Sequence, residues 1–364
     1  MTKQTSEYNK SHNSIAYLDN ASTTKVDSRV LEEMLPYFVE IYGNASSNHS
    51  FGKKAKDAID NARTQVSDLV NCNRQEIIFT SGATESINLA IKGYVESNAH
   101  KGNHLITVKT EHKAVLATCE YLETKGYEVT YLDVDENGII SMNQLKDSIR
   151  NDTLLITVMY VNNETGVIQP IKEIGSLCKE KQVAFFCDAT QALGKIEVDV
   201  EEDSIDMLCF SGHKLNGPKG IGVLYKRNDI EISPLIHGGG QEYGLRGGTY
   251  NTPLIVGLGK SCEIAKLEYN YNIKELNKKR EGIEKYYETN NVGKVNFKNV
   301  RKAPHIISIT LKDYEAEEFL MLNSKEFMAS TGSACNAEII EPSHVLKAIG
   351  IQSPEKVIRL SIEK

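Results

Sequence analysis

Two segments of this chain hold residue types that carbonyl chemistry requires. The first runs from Phe210 to Lys219 and reads Phe-Ser-Gly-His-Lys-Leu-Asn-Gly-Pro-Lys. It follows an apolar run at 207–209 that reads as a buried strand, and its glycines and proline force a turn. Lys214 is therefore held at a strand-to-turn junction beside Ser211 and His213. An amine there can form a Schiff base with an aldehyde cofactor, and its polar neighbours can hold that cofactor's phosphate. Taken alone, a surface lysine in a polar turn is the commoner outcome. The second segment ends an apolar, aromatic run at 183–187 with Asp188. A carboxylate at a strand's carboxyl end can pair with a protonated pyridine nitrogen and keep the ring an electron sink. An aspartate there is otherwise most often a helix N-cap.

Together Lys214 and Asp188 match the pair that pyridoxal phosphate requires. A third piece, Ile77 to Glu85, runs from strand through a small polar turn into a helix with Ile87, Ala90, Ile91, Tyr94 and Val95 at helical spacing. Free N–H groups at such a helix start, with the Ser81 and Thr84 hydroxyls, make an anion site. The same residues would also serve as a capping box.

These segments, with Tyr17 to Thr24, Gly43 to His49, Glu111 to Val115, Val161 to Gly166, Gly238 to Glu242, Leu245 to Thr249 and Gly332 to Cys335, resemble the cysteine desulfurases of the NifS/IscS type. These are pyridoxal phosphate enzymes of the class V aminotransferase-like group, and the resemblance covers nearly the whole chain. It implies the fold type I α/β architecture, with a mainly parallel sheet covered by helices on both faces and a smaller α+β domain. It implies that Lys214 binds the cofactor and moves the substrate Cα proton. It places His112 over the pyridine ring, although His112 also precedes an apolar helix as a cap would. It puts Asp188 on the ring nitrogen, Gln191 on the phenolic oxygen, and Asn163 on the cofactor or its substrate side. It makes Ala83, Thr84, Ser211 and His213 the phosphate cup. It makes Thr249 a phosphate ligand supplied by the other subunit of a homodimer, and Arg359 the clamp on the substrate carboxylate.

Cys335 separates the desulfurase reading from others on the same fold. Gly332, Ser333 and Ala334 precede it, unlike the apolar strands around Cys187 and Cys209. A thiolate is the competent nucleophile, and accessibility governs its reactivity. The resemblance implies that Cys335 takes the sulfur of L-cysteine as a persulfide, leaves L-alanine, and passes sulfur to acceptor proteins. The stretch from Cys335 to His344 resembles the long-loop branch, which serves iron–sulfur assembly and tRNA thiolation. Two readings stay open beside it. One is an aminotransferase or lyase on the same fold, needing no cysteine. The other is a non-catalytic scaffold for sulfur acceptors, because relatives continue beyond the position of Lys364. The pattern also departs at Ala45, Phe186, Tyr243 and Gly247, where relatives often carry proline, histidine, arginine and serine.

The elements that must position these residues are legible as alternating strands and helices. Expected strands are 77–80, 104–109, 128–132, 154–161, 183–187, 207–210 and 221–225, with helices 57–69, 114–122 and 171–179 between several of them. One long charged helix, 261–285, is expected to leave the large domain. The expected division is 15–262 and 263–364, with 1–14 a candidate to pack on the smaller part. At 364 residues the chain can bury a sizeable core. A net charge of −7 without a basic run argues against direct nucleic-acid binding. Seven scattered cysteines without a C-x-x-C pair argue against structural zinc. A polar start and the absence of a spanning apolar run point to a cytoplasmic protein off the membrane.

Overall fold

The computed structural model describes residues 15–331 and 343–363. In chain order the strands are β1 (Ala16–Tyr17), β2 (Ile77–Thr80), β3 (His104–Val108), β4 (Glu128–Leu132), β5 (Thr153–Thr157), β6 (Ala184–Asp188), β7 (Met207–Ser211), β8 (Gly222–Lys226), β9 (Gly293–Val295), β10 (Ile306–Leu311), β11 (Phe327–Met328) and β12 (Val357–Ser361). Seven of them form one sheet in the order β2-β8-β7-β6-β5-β3-β4. β8 runs antiparallel to both neighbours, and every other pair is parallel. Two reversals restore the direction, so β2 points the same way as β7.

The strands β5, β6 and β7 are buried along their whole length. That is why they read as continuous apolar runs rather than alternating ones. Alternate residues feed two cores. Phe185, Cys187, Leu208 and Phe210 face the helices Ser50–Val70, Ile171–Lys181 and Thr252–Leu267. Phe186, Met207 and Cys209 face Ala83–Asn98 and Lys113–Glu123. The doubly covered sheet expected from the sequence is present.

Two element expectations need correction. The stretch 261–285 is not one helix. Thr252–Leu267 and Tyr269–Thr289 meet at Glu268, whose φ of −98° and ψ of 7° break the helical path. The first is largely buried and the second mostly exposed, so their environments part at that junction. The strand expected over 154–161 ends its ladder at Thr157. Beyond it the chain stays extended, with Tyr160 N–H donating to the Asp188 carbonyl at 2.9 Å, and then turns back through Val161 and Ile168.

A second sheet, β12-β10-β9, is antiparallel. Ile358 and Leu360 join Ile307, Ile309 and Tyr287 in its own core. The period of two therefore turns Arg359 to the opposite face. β1 pairs with β11, and Asp19 bridges to Ser361, which lays 16–24 between the two sheets. Among the described residues no helix is long and apolar enough to cross a membrane.

Candidate active site

Because β2, β3, β5, β6 and β7 share one direction, their carboxyl ends open on one side, where ligands bind in such sheets. A cavity of about 700 Å³ lies there. Its lining includes Ala83, Thr84, His112, Asn163, Asp188, Gln191, Ser211, His213, Lys214 and Arg359. Residues far apart in sequence are thus brought together as expected. Thr249 is exposed in the loop before Thr252–Leu267 and does not line this cavity. Cys335 lies outside the described residues.

Lys214 follows β7 on a single tight turn. Its Nζ donates to the carbonyls of Ala21 at 2.5 Å and Ser22 at 2.6 Å. Burial, and then the nearby Arg359 cation, lower its pKa to about 8. Asp188 closes β6 and is 6% exposed. Its Oδ1 accepts from Thr190 N–H at 2.9 Å, so it braces a turn rather than capping a helix. Beneath it lies fully buried Glu111, pushed well above the usual carboxyl range by burial and by Asp188.

His112 is the cap that its place before an apolar helix allows. It N-caps Lys113–Glu123, its Nδ1 accepting from Ala114 N–H at 3.1 Å, and it lines the cavity. Burial lowers its pKa. The ring is therefore neutral, with its proton on Nε2.

The anion cradle is the start of helix Ala83–Asn98. Its N-cap is Gly82, and among the described residues no side chain caps it. Ser81 does not cap it; instead Ser81 N–H donates to Glu85 Oε2 at 2.7 Å. This first turn lines the same cavity as Ser211 and His213. Gly222 lets β8 lie close against this turn, since a Cβ there would meet Gly82 Cα at 2.6 Å. His213 Nδ1 lies 3.2 Å from Thr23 Oγ1, and burial with Lys214 lowers its pKa to about 4. A neutral histidine, two hydroxyls and a helix N-terminus suit a phosphate dianion.

On the far wall Arg359 donates to Asn163 O at 2.9 Å, Asp19 Oδ1 at 2.8 Å and Ser22 Oγ at 2.7 Å. Its Nε is buried with no partner among the described residues. That orphaned donor fits a ligand carboxylate. Sequence reasoning gave no role to Asp19 and Ser22, which hold Arg359, nor to Ala21, whose carbonyl receives Lys214. Their only signal was membership of the Tyr17 to Thr24 motif. It also missed Glu164, whose pKa burial raises to about 7 and whose Oε2 accepts from Ser343 Oγ at 2.5 Å. An amine, a phosphate cradle, a buried acid and a carboxylate clamp around one cavity fit pyridoxal phosphate and an amino acid.

Residues 16–364 match the aminotransferase class-V family model. Over 355 residues the chain is 47% identical to the cysteine desulfurase IscS of Methanosarcina thermophila, covering 96% of this chain and 86% of that protein. The chain belongs to the cysteine desulfurase family. Among solved structures a NifS-like protein superposes with a TM-score of 0.90 at 36% identity, covering 96% of this chain and 94% of that one. SspA, solved in complex with cysteine, is 40% identical with a TM-score of 0.83, covering 96% and 99%. The family therefore agrees with the fold.

Proposed function

We propose that this chain is a pyridoxal phosphate-dependent cysteine desulfurase that releases L-alanine from L-cysteine and carries the sulfur on Cys335. The observation that carries this reading is the convergence of Lys214 and Arg359 on one cavity, an amine and a carboxylate clamp opposite a phosphate cradle. The relative solved with cysteine supports the choice of substrate.

When bound, pyridoxal phosphate supplies the electron sink that makes the substrate Cα acidic. Asp188 would hold the ring nitrogen protonated, and Gln191 would donate to the phenolic oxygen. Ala83, Thr84, Ser211 and His213 hold the phosphate, with Thr249 of a second copy. Lys214 would hold the cofactor through its amine and, once freed, would take the substrate Cα proton and later return it. Arg359 fixes the substrate carboxylate, so that the Cα–H bond faces Lys214. Asn163 lines the substrate side, and neutral His112 covers the ring. The Cys335 thiolate attacks the substrate sulfur; an S–S bond forms, the C–S bond breaks, and the carbon takes a proton to become alanine. The persulfide then passes to a protein thiol by exchange chemistry. In this reading the enzyme is a cytoplasmic homodimer serving iron–sulfur assembly and tRNA thiolation, with its site between 15–262 and 263–364.

The test is alanine release from L-cysteine by the cofactor-loaded protein. Lys214→Ala is expected to abolish it. Release that survives this substitution refutes the assignment.

A further inference from the structure

Outside the residues assigned above, one buried polar side chain reaches the site from behind. His305 precedes β10 and is 2% exposed. Its Nε2 lies 3.2 Å from Gln191 Oε1. Gln191 Nε2 donates to the Ala21 carbonyl at 2.9 Å, the same oxygen that accepts from Lys214 Nζ. A carbonyl only accepts, so the Gln191 nitrogen must face Ala21 and Lys214 and its oxygen must face His305. An amide oxygen also only accepts, so His305 carries its proton on Nε2. Nδ1 is then a bare lone pair, buried with no partner among the described residues. Burial, with Lys195, Arg359 and Lys214 as surrounding cations, holds the ring neutral.

The consequence lies in how the Gln191 amide can turn. Ala21 and His305 hold the two ends of the amide, and without the His305 donor Oε1 is left without a partner and only the Ala21 bond still fixes the orientation. We propose that His305 is a positioning residue, donating from Nε2 to Gln191 Oε1 so that the Gln191 NH2 group faces Lys214 and can donate to the cofactor's phenolic oxygen. This rests on the reading of Gln191 given above. His305 itself touches no reacting atom.

The test uses protein loaded with pyridoxal phosphate, whose visible absorbance titrated against pH reports protonation at the Lys214–cofactor bond. A donor on the phenolic oxygen stabilises its negative charge and lowers the midpoint. His305→Leu is expected to keep the cofactor attached and to raise the midpoint by about one pH unit, the size of one hydrogen bond to a charged group. His305→Asn, whose amide can still donate to Gln191, is expected to restore the wild-type midpoint. In a Gln191→Ala background His305→Leu is expected to add nothing. An unmoved midpoint in His305→Leu, or a shift that persists without Gln191, makes His305 a packing residue. Nitrogen NMR of the cofactor-free protein is a second readout, independent of cofactor binding and of the variants folding. It is expected to show the Nε2-protonated ring, and the Nδ1-protonated ring overturns the proposal. A wild-type protein that binds no cofactor but shows the Nε2-protonated ring would sink the reading of the site and leave the His305–Gln191 bond standing.

Discussion

Lys214 rests on two carbonyls and attacks only as a free amine. Burial and Arg359 place the change from ammonium to free amine at about pH 8, below its ordinary 10.5. The deprotonated form has the reactive lone pair. Covalent attachment of pyridoxal phosphate to cofactor-free protein is therefore expected to speed up as pH rises through about 8 and then level off, read by absorbance after mixing. A rate that levels off only near pH 10.5 would show that the lysine is not perturbed. The stability linkage has a definite sign. Between about 8 and 10.5 the unfolded chain binds more protons at this group, so it makes the fold more stable as pH rises across that window. Cys187 and Cys209 show the opposite use of burial. Their thiols are pushed well above the usual range by desolvation, which leaves them inert in the strands where they pack. That contrast was legible in the sequence, since both sit in apolar runs. The place of Arg359 at the cavity was legible only through family resemblance, because nothing local in Val-Ile-Arg-Leu-Ser says which face of β12 meets a cavity.

At the scale of elements, the loop between β8 and Thr252–Leu267 shows what short-range reading misses. Glu242 and Tyr243 adopt φ values of 46° and 59°, the left-handed region that non-glycine residues rarely enter. They are held there by Arg63, which donates to both carboxylate oxygens of Glu242 at 2.7 and 3.0 Å and to the Ile77 carbonyl. Phe79 N–H takes the same carboxylate at 2.9 Å, and the guanidinium sits 4.6 Å from the Phe79 ring centroid. Arg246 adds a second anchor on Glu85 at 2.9 Å, in the first turn of the phosphate-cradle helix. The ion pair is buried, with side-chain exposures of 6% and 2%. Removing one member strands the other charge, so Arg63→Ala is expected to cost about 3–5 kcal/mol in urea unfolding. A loss under about 1 kcal/mol would mean that the loop repacks freely. The strands β2, β6 and β7 were legible to within a residue because continuous apolar runs bounded by turns have few other solutions. The division at Glu268 was not, because both helices share one unbroken helix-compatible composition. Arg63 and Glu242 are far apart in sequence, and no local pattern announces their bond.

At the scale of the whole molecule, the same loop carries Thr249 away from its own cavity and into solvent. If Thr249 completes the cradle of a second copy, Lys214 and Thr249 serve different sites of one dimer. Chains with Lys214→Ala and chains with Thr249→Ala are each expected to be impaired. Unfolded and refolded together in equal amounts, they form mixed dimers with one intact site, and activity is expected to return to roughly a quarter of wild type. No gain on mixing would show that Thr249 does not act across an interface. This part of the account came from resemblance alone, since one chain's sequence does not show what its exposed loops meet.

The most direct measurement of the central claim is the mass of the peptide containing Cys335 after the loaded protein has turned over L-cysteine. The account expects one additional sulfur atom on Cys335, alanine in solution, and neither product in the Cys335→Ala variant. Alanine released at the wild-type rate by Cys335→Ala, or sulfur found on another cysteine, would contradict it.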